Sequence, residues 1–138
     1  MSEPTNVPTS VPPQLTHYAM HCRDIEATLA FYRDVCGMTL GHDRDDNGLR
    51  VAWMMPTGGD AGIYFVFISD GDPAPQRDGD IGHMGFELPT REDVDRIARI
   101  GAERDCIAWP PRQDPPPVGY NCALRDPDGK YVEFSYHE

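Results

Sequence analysis

Hydrophobic and polar residues follow two periods along the chain, and the same order of periods occurs twice. In the first half, alternation predicts a strand over residues 15–22, and helical spacing predicts a helix that begins at Asp24 and ends at Gly37. Three more strands are predicted, over residues 38–41, 49–55 and 62–69. Residues 43–48 and the Pro-Thr-Gly-Gly sequence that starts at Pro56 should form turns. The last strand, apolar on both faces, should be central in its sheet.

The pattern begins again after a polar linker, residues 70–81. Residues 82–88 alternate as a strand, Thr90 begins a helix with Asp93 in the capping-box position, and Gly101 ends it. Short strands near residues 105–109, 118–125 and 131–137 complete this half. The halves, residues 15–69 and 82–136, repeat at a spacing of 66 residues. This repeat predicts two copies of one unit in a single domain, residues 15–136, after a flexible tail, residues 1–14.

Side chains of the types that bind metals fall on strand faces that point away from the helices. Alternation places His17, His83 and Glu133 on such faces, and the faces should curl around a half-open cavity if each helix covers the other side of its sheet. Two imidazoles and one carboxylate can bind a divalent ion and leave positions open for a substrate. A histidine on a strand is also commonly a satisfied polar residue, whereas a carboxylate left unpaired in an apolar strand is costly. The pattern alone leaves both interpretations open.

Other polar and aromatic residues are candidates for the lining of the same cavity. His21 lies four residues after His17, about 13 Å along a strand, so it should line the cavity rather than share the ion. Glu87 has the equivalent position after His83. Four aromatic residues are candidate walls or, alternatively, core residues: Trp53, Tyr64, Trp109 and Tyr120.

The segment 109–119 contains five prolines and forms either a lid or a passive connector. Arg112, within it, is a candidate for binding an anionic group of a substrate. We expect it instead to be a solvated charge.

Composition and charge disfavour several classes of function. The 138 residues carry a net charge of −11 without a basic stripe, so binding to nucleic acid or to an anionic membrane is not expected. No apolar run approaches the roughly 20 residues that span a bilayer. The N-terminal sequence lacks the basic and apolar regions of a secretory signal, which predicts a cytoplasmic protein. The four cysteines have no C-x-x-C spacing and should be reduced and packed as small hydrophobic residues.

Three segments resemble, in the right order, segments of the vicinal oxygen chelate superfamily: HYAMHCRDIEATLAFYRDVCGMTL, GHMGFEL and DPDGKYVEF. The resemblance implies an α+β fold of paired βαβββ modules, whose curved mixed sheet encloses a cavity, commonly in a homodimer. The superfamily includes glyoxalase I, fosfomycin-resistance enzymes, extradiol dioxygenases, methylmalonyl-CoA epimerase and metal-free bleomycin-binding proteins. Its metal positions fall on His17, His83 and Glu133 of this chain.

The chain departs from several of these members at residues that determine the reaction. A fourth ligand, Glu or Gln in glyoxalase I, corresponds to Tyr64 here, or to Phe65 after a one-residue shift. A tyrosine of the dioxygenases and fosfomycin enzymes corresponds to Ala123, and the nearby Tyr120 has the opposite strand parity unless a bulge intervenes. The sequence therefore indicates a three-ligand centre more firmly than any particular reaction.

Two functions from different classes follow from the resemblance. In the first, the chain is an enzyme whose metal binds two oxygens of a small substrate as a Lewis acid. Fe(II) or Mn(II) is favoured, Zn or Ni also fits, and His21, Glu87 or Tyr120 handles protons. In the second, the chain is a metal-free protein that binds a small apolar or aromatic ligand. The presence of the metal-ligating residues favours the enzyme.

Overall fold

The protein was analysed as a computed structural model, which describes residues 11–56 and 62–137. Each half is a strand, a helix and three further strands, as the sequence predicts. The first half consists of β1 (His17–His21), α1 (Ile25–Asp34), β2 (Thr39–Asp46), β3 (Leu49–Met55) and β4 (Tyr64–Ile68). The second half consists of β5 (His83–Glu87), α2 (Arg91–Glu103), β6 (Ile107–Asp114), β7 (Gly119–Arg125) and β8 (Tyr131–Tyr136).

The strands form two four-stranded mixed sheets with the same topology, in the orders β1-β4-β3-β2 and β5-β8-β7-β6. In each sheet the first strand pairs in parallel with the last, and the other pairs are antiparallel. β4 is flanked on both sides, which confirms that it is central, and β1 and β5 are both edge strands. The fold is α+β, as predicted.

One hydrophobic core joins the two halves. The faces of the two sheets that carry the helices contribute residues to a single buried cluster, and Phe65 of β4 contacts Phe86 of β5 with ring centroids 6.0 Å apart. Cys22 and Cys122 are buried in this core, and all four cysteines are free thiols. Burial raises the pKa of the Cys22 thiol to about 11, so it packs as a neutral, small hydrophobic residue.

Two polar links cross from the first half to the Asp-Pro-Asp-Gly turn of the second. The hydroxyl of Tyr32, on α1, donates to Asp126 Oδ2 at 2.9 Å, and Asp126 Oδ1 accepts from the backbone N–H groups of Asp128 and Lys130 at 2.9 Å each. Asp128 Oδ1 accepts from the backbone N–H of Arg23 at 3.2 Å and from its Nη1 at 3.3 Å. The turn therefore fixes the second half against the first.

Three boundaries differ from the sequence prediction, each for a physical reason. β2 extends to Asp46, so the turn is only Asn47-Gly48, whose positive φ values of 54° and 93° fit a two-residue hairpin. α2 continues past Gly101 to Glu103, because a Cβ at Gly101 would lie 2.8 Å from Leu124 Cγ and the helix needs a glycine where it packs on β7.

The proline-rich segment is the third difference. β6 runs through Pro110 and Pro111 to Asp114, so most of the segment 109–119 is neither a lid nor a connector. The two prolines lie at a shift of register between Trp109 and Arg112 on an edge strand, where their missing N–H groups cost little.

The linker packs against the body of the protein without forming a helix or strand. Gly71 N–H donates to Cys22 O at 3.1 Å, and Arg23 donates to Asp72 Oδ1 at 2.8 Å and to Pro73 O. The Pro-Thr-Gly-Gly turn predicted after β3 lies mostly outside the described residues. Neither helix is long and apolar enough to cross a membrane, among the residues that the structure describes.

Candidate metal centre

His83 and Glu133 contact each other on the face of the second sheet that points away from α2. His83 is the first residue of β5, Glu133 lies on the neighbouring β8, and His83 Nε2 is 2.7 Å from Glu133 Oε2. His83 Nδ1 lies 2.7 Å from Ile81 O, which can only accept, so Nδ1 is the donor in that bond. In the neutral ring, Nε2 then has a lone pair directed at the carboxylate, and a proton or a cation must lie between the two atoms.

His17 has the corresponding position on the first sheet. It is the first residue of β1, and its Nδ1 is hydrogen-bonded with Thr16 Oγ1 at 2.9 Å. The imidazole stacks on Trp53 with ring centroids 5.5 Å apart, and Tyr64 is its neighbour across the β1–β4 pair. Trp53 and Tyr64 also meet edge to face at 6.2 Å, so two of the predicted wall residues surround this histidine.

A single chain does not bring all three predicted ligands together. His83 and Glu133 are in contact on one sheet, whereas His17 is on the other sheet. Within residues 11–56 and 62–137, no three His, Cys, Asp or Glu side chains of one chain cluster as a metal site. The expectation that the three converge in one cavity of one chain is therefore not met.

The strand registers show which residue of the first half corresponds to Glu133. In the second sheet, Glu133 pairs with Gly85, two residues after the histidine of β5. In the first sheet, the position two residues after the histidine of β1 is Ala19, and it pairs with Val66. Val66, which is 5% exposed, therefore occupies the position equivalent to that of Glu133.

This register corrects the residue expected at the fourth ligand position. The sequence comparison placed Tyr64 or Phe65 there, because it aligned the motifs of the last strands by their aromatic residues. Tyr64 instead corresponds to Tyr131, the partner of His83, and Phe65 points into the core. The conclusion that the first half has no fourth carboxylate ligand holds, with a different residue.

A closed cycle of contacts holds Trp109 beside His83. The indole of Trp109 meets the His83 ring edge to face at 5.8 Å, and Trp109 Nε1 donates to Asn121 Oδ1 at 2.8 Å. Asn121 Nδ2 donates to Asp114 Oδ2 at 2.8 Å, and Arg112 Nε donates to the same oxygen at 3.0 Å. The Arg112 guanidinium lies over the Trp109 ring, 4.7 Å from its centroid, and so closes the cycle.

Two members of this cycle were not recognised in the sequence. Asn121 is fully buried, and its signal was a lone amide in the otherwise apolar strand Gly119–Arg125. Asp114 was treated as part of a proline-rich loop. The hydrogen bond from Asn121 and the pairing with Arg112 lower the pKa of Asp114, so it is ionised and Arg112 is an ion-paired residue rather than a freely solvated charge.

The three predicted proton-handling residues lie in different surroundings. His21, at the end of β1, has Nδ1 3.3 Å from Ser69 O, and Glu87, at the end of β5, lies 3.3 Å from Nδ1 of His137. Tyr120 is on the opposite side of β7, where its hydroxyl donates to Asp95 of α2 at 2.5 Å. That hydrogen bond raises the pKa of Tyr120 and directs its hydroxyl away from His83 and Glu133.

Exposed apolar residues lie beside the two edge strands. Leu15 and Tyr18 at β1 are 73% and 60% exposed, and Ile81 before β5 is 74% exposed. A groove of about 590 Å³, to which these edges contribute Leu15 and Tyr18, runs between β1 and β5. Unpaired strand edges with apolar side chains are surfaces that proteins normally cover.

Comparison with known proteins identifies relatives across nearly the whole chain. Residues 14–134 match the model of the "Glyoxalase/Bleomycin resistance protein/Dioxygenase superfamily". The chain is 44% identical over 124 residues to the uncharacterized protein PA2024 of Pseudomonas aeruginosa strain PAO1, a match that covers 90% of this chain and 89% of that protein.

Solved structures of low identity share the fold. A glyoxylase/bleomycin resistance protein/dioxygenase domain from Frankia sp. EAN1pec superposes with a TM-score of 0.72 at 17% identity, covering 93% of this chain and all of that one. The fosfomycin resistance protein FosX of Listeria monocytogenes, as a variant complexed with Mn(II) and 1S,2S-dihydroxypropylphosphonic acid, gives 0.71 at 15% identity, with coverages of 91% and 90%. The trypanothione-dependent glyoxalase I of Leishmania major gives 0.69 at 17%, with coverages of 91% and 87%.

Proposed function

The chain belongs to the Glyoxalase/Bleomycin resistance protein/Dioxygenase superfamily, and on that premise we propose that it is a metal-dependent enzyme. Its substrate is a small molecule that chelates the metal through two adjacent oxygens. The ligands are His17, His83 and Glu133, with His17 contributed by one copy of the chain and the other two by a second copy.

The contact between His83 and Glu133 carries the proposal. Two acceptor atoms face each other at 2.7 Å, because Nδ1 of His83 is already committed to Ile81 O. A backbone carbonyl that orients a histidine in this way is typical of metal-ligating imidazoles. The hydrogen bond between Nδ1 of His17 and Thr16 leaves Nε2 of that ring for a ligand bond as well.

The donor set suits a divalent ion with open positions. Two imidazoles and a carboxylate favour Fe(II) or Mn(II), and Zn(II) or Ni(II) also fits. When bound, the ion would polarise the substrate oxygens as a Lewis acid. Val66, at the position equivalent to that of Glu133, adds no fourth ligand and leaves room for a substrate.

A second copy completes the centre because one chain presents its ligands on two different sheets. β1 and β5 are both free edges, and β1 of one copy lying beside β5 of the other would bring His17 to the His83–Glu133 pair. A two-fold axis makes the reverse contact at the same time, so a homodimer holds two equivalent centres. The same arrangement covers the exposed Leu15 and Tyr18.

The remaining residues of the site have supporting roles. Trp53 lies against His17 and Trp109 against His83, so each metal-ligating imidazole has an aromatic wall. His21 and Glu87 end the strands that carry the histidines and are the groups we assign to proton transfer. We assign no role in the reaction to Tyr120, since its hydroxyl is bound to Asp95.

A metal-free protein that binds a small ligand is the second candidate. A doubly protonated His83 would satisfy Glu133 as a simple ion pair, without any metal. The two candidates differ in what happens when a divalent ion is added.

Metal titration of the purified protein decides between them. Anaerobic loading should give about one divalent ion per chain, and His83→Ala should abolish binding, because two of the remaining three-ligand contacts cannot hold the ion alone. His42→Ala, which removes an exposed histidine of β2, is the matched control and should bind as the unmodified protein does. Equal metal content in both variants, or none in the unmodified protein, would refute the enzyme.

A further inference from the structure

We infer that the proposed centre takes a substrate whose non-chelating part is a flat, uncharged ring, and that Asn121 is the positioning residue that holds Trp109 as one wall for that ring. The inference rests on the proposed function, since the ring is placed by the oxygens that chelate the metal. It concerns three features: the fixed orientation of Trp109, the shape of the surface around Glu133, and the charges near it.

The orientation of Trp109 is fixed by a buried amide. Asn121 is fully buried, its Oδ1 accepts from the indole, and its Nδ2 donates both to Asp114 Oδ2 at 2.8 Å and to Gly119 O at 3.1 Å. A rotation of the indole would leave the buried Oδ1 without a donor, which is unfavourable. Trp109 is therefore preorganised rather than a mobile surface side chain.

The surface beside this wall is shallow and made of small residues. Glu133 pairs with Gly85 on one side and Ala123 on the other, and Ala123 pairs in turn with Trp109. A Cβ built at Gly85 would have only Glu133 O, 4.0 Å away, among its neighbours. The face next to the carboxylate is therefore a flat floor bounded by an indole, which fits the face or edge of a planar ring.

The first half offers a second indole for the opposite side. Trp53 stacks on His17 at 5.5 Å, and in the shared centre it comes from the other copy. A ring chelated between the two histidines would have one tryptophan from each chain beside it. Aromatic contacts of this kind add affinity for flat ligands over non-planar ones of the same chelating power.

The cations near the floor already have partners in the protein. Arg112 is paired with Asp114 and lies on Trp109, and Arg125 donates to Ile107 O while its guanidinium lies 5.7 Å from the Tyr131 ring centroid. A substrate with an additional anionic group would have to displace these contacts. The site therefore favours a ring without a charge of its own.

Chelator binding to the Co(II)-loaded protein tests the inference. The probes are 4-methylcatechol, which has a neutral ring, 3,4-dihydroxybenzoate, which has a charged one, and acetohydroxamate, an oxygen chelator without a ring. We expect 4-methylcatechol to bind about tenfold more tightly than either other probe. Asn121→Leu should remove most of the preference over acetohydroxamate while leaving Co(II) affinity unchanged. Gln113→Leu, the same chemical change on an exposed amide of β6, should keep the preference.

A second readout does not depend on metal. In a Trp53→Phe background, the fluorescence of Trp109 should be more accessible to acrylamide in Asn121→Leu than in the parent, because the indole is no longer held. If Asn121→Leu does not fold, Asp114→Ala removes the acceptor of both Asn121 and Arg112 from a more exposed position and should move both readouts in the same direction.

The outcomes separate this inference from the proposed function. Failure of the unmodified protein to bind Co(II) would overturn the metal centre and the substrate inference together. Co(II) binding with equal affinity for the three probes, or with tighter binding of 3,4-dihydroxybenzoate, would overturn the substrate inference alone. Unchanged quenching and unchanged preference in Asn121→Leu and Asp114→Ala would overturn the positioning role of Asn121.

Discussion

Val66 and Glu133 occupy equivalent positions in the two sheets, although one is a buried aliphatic residue and the other a carboxylate. Each lies two residues beyond the site where the last strand pairs with the histidine of the first. The repeat has therefore kept a histidine in both halves and a carboxylate in only one. A centre built from one half of each copy would have three protein ligands and an apolar fourth side.

Val66→Glu should convert this three-ligand centre into a four-ligand one. A carboxylate at this position is costly to bury unpaired, so the metal-free variant should unfold at a lower temperature than the unmodified protein. Metal should reverse this loss and bind about tenfold more tightly or better. Calorimetric titration and thermal unfolding, each with and without metal, measure both effects.

Val66→Thr is the matched control, because it keeps the shape of the side chain and adds no carboxylate. Its metal affinity should equal that of the unmodified protein. A Val66→Glu protein that folds but gains neither affinity nor stabilisation by metal would show that Val66 does not face the bound ion.

Tyr32→Phe should weaken the joint between the two halves. The variant removes only the hydroxyl that donates to Asp126 Oδ2, inside a core where Tyr32 is fully buried. We expect a loss of about 1–3 kcal/mol in the free energy of unfolding, because a buried carboxylate oxygen loses its donor. Urea denaturation measures it. Tyr18→Phe, at a tyrosine that is 60% exposed, should change stability by less than about 0.5 kcal/mol.

The stability of the protein should depend on pH through Asp126. Burial is the largest cause that raises the pKa of Asp126 above its usual value of 3.8. The folded protein then holds this proton more tightly than the unfolded chain, so the stabilisation is complete below the unfolded pKa and is lost as pH rises through the folded one. Asp126→Asn has no such proton and should show a flatter stability curve from acid to neutral pH.

Urea unfolding of both proteins across that pH range is the measurement. The exposed Asp78→Asn should follow the unmodified protein. Parallel curves for Asp126→Asn and the unmodified protein would mean that Asp126 does not titrate abnormally in the fold.

The order of the elements could be predicted because local patterns determine it. The capping side chains of Asp24 and Thr90 accept from Ala27 N and Asp93 N, as the sequence predicts. The ends of β2, α2 and β6 could not be placed from local pattern. Gly101 remains helical because of Leu124, which is distant in sequence, and Pro110 is tolerated in β6 because that strand is at an edge.

The candidate site was predictable in its residue types but not in its arrangement. Alternation identified the faces of His17, His83 and Glu133, yet pairing registers decide which residues are equivalent, and these arise from contacts between distant strands. Asn121 illustrates the same limit, since nothing local distinguishes an amide that holds Trp109 from one that is simply buried.

The account depends most directly on the claim that each metal centre is shared between two copies. Co-expression of His17→Ala and His83→Ala chains with different affinity tags, followed by purification through both tags, isolates the mixed dimer. Each variant alone should bind no metal, whereas the mixed dimer has one intact centre out of two and should bind about half the metal of the unmodified dimer. A mixed dimer that binds no more metal than either variant alone, or a protein that is monomeric when fully loaded, would contradict the shared centre.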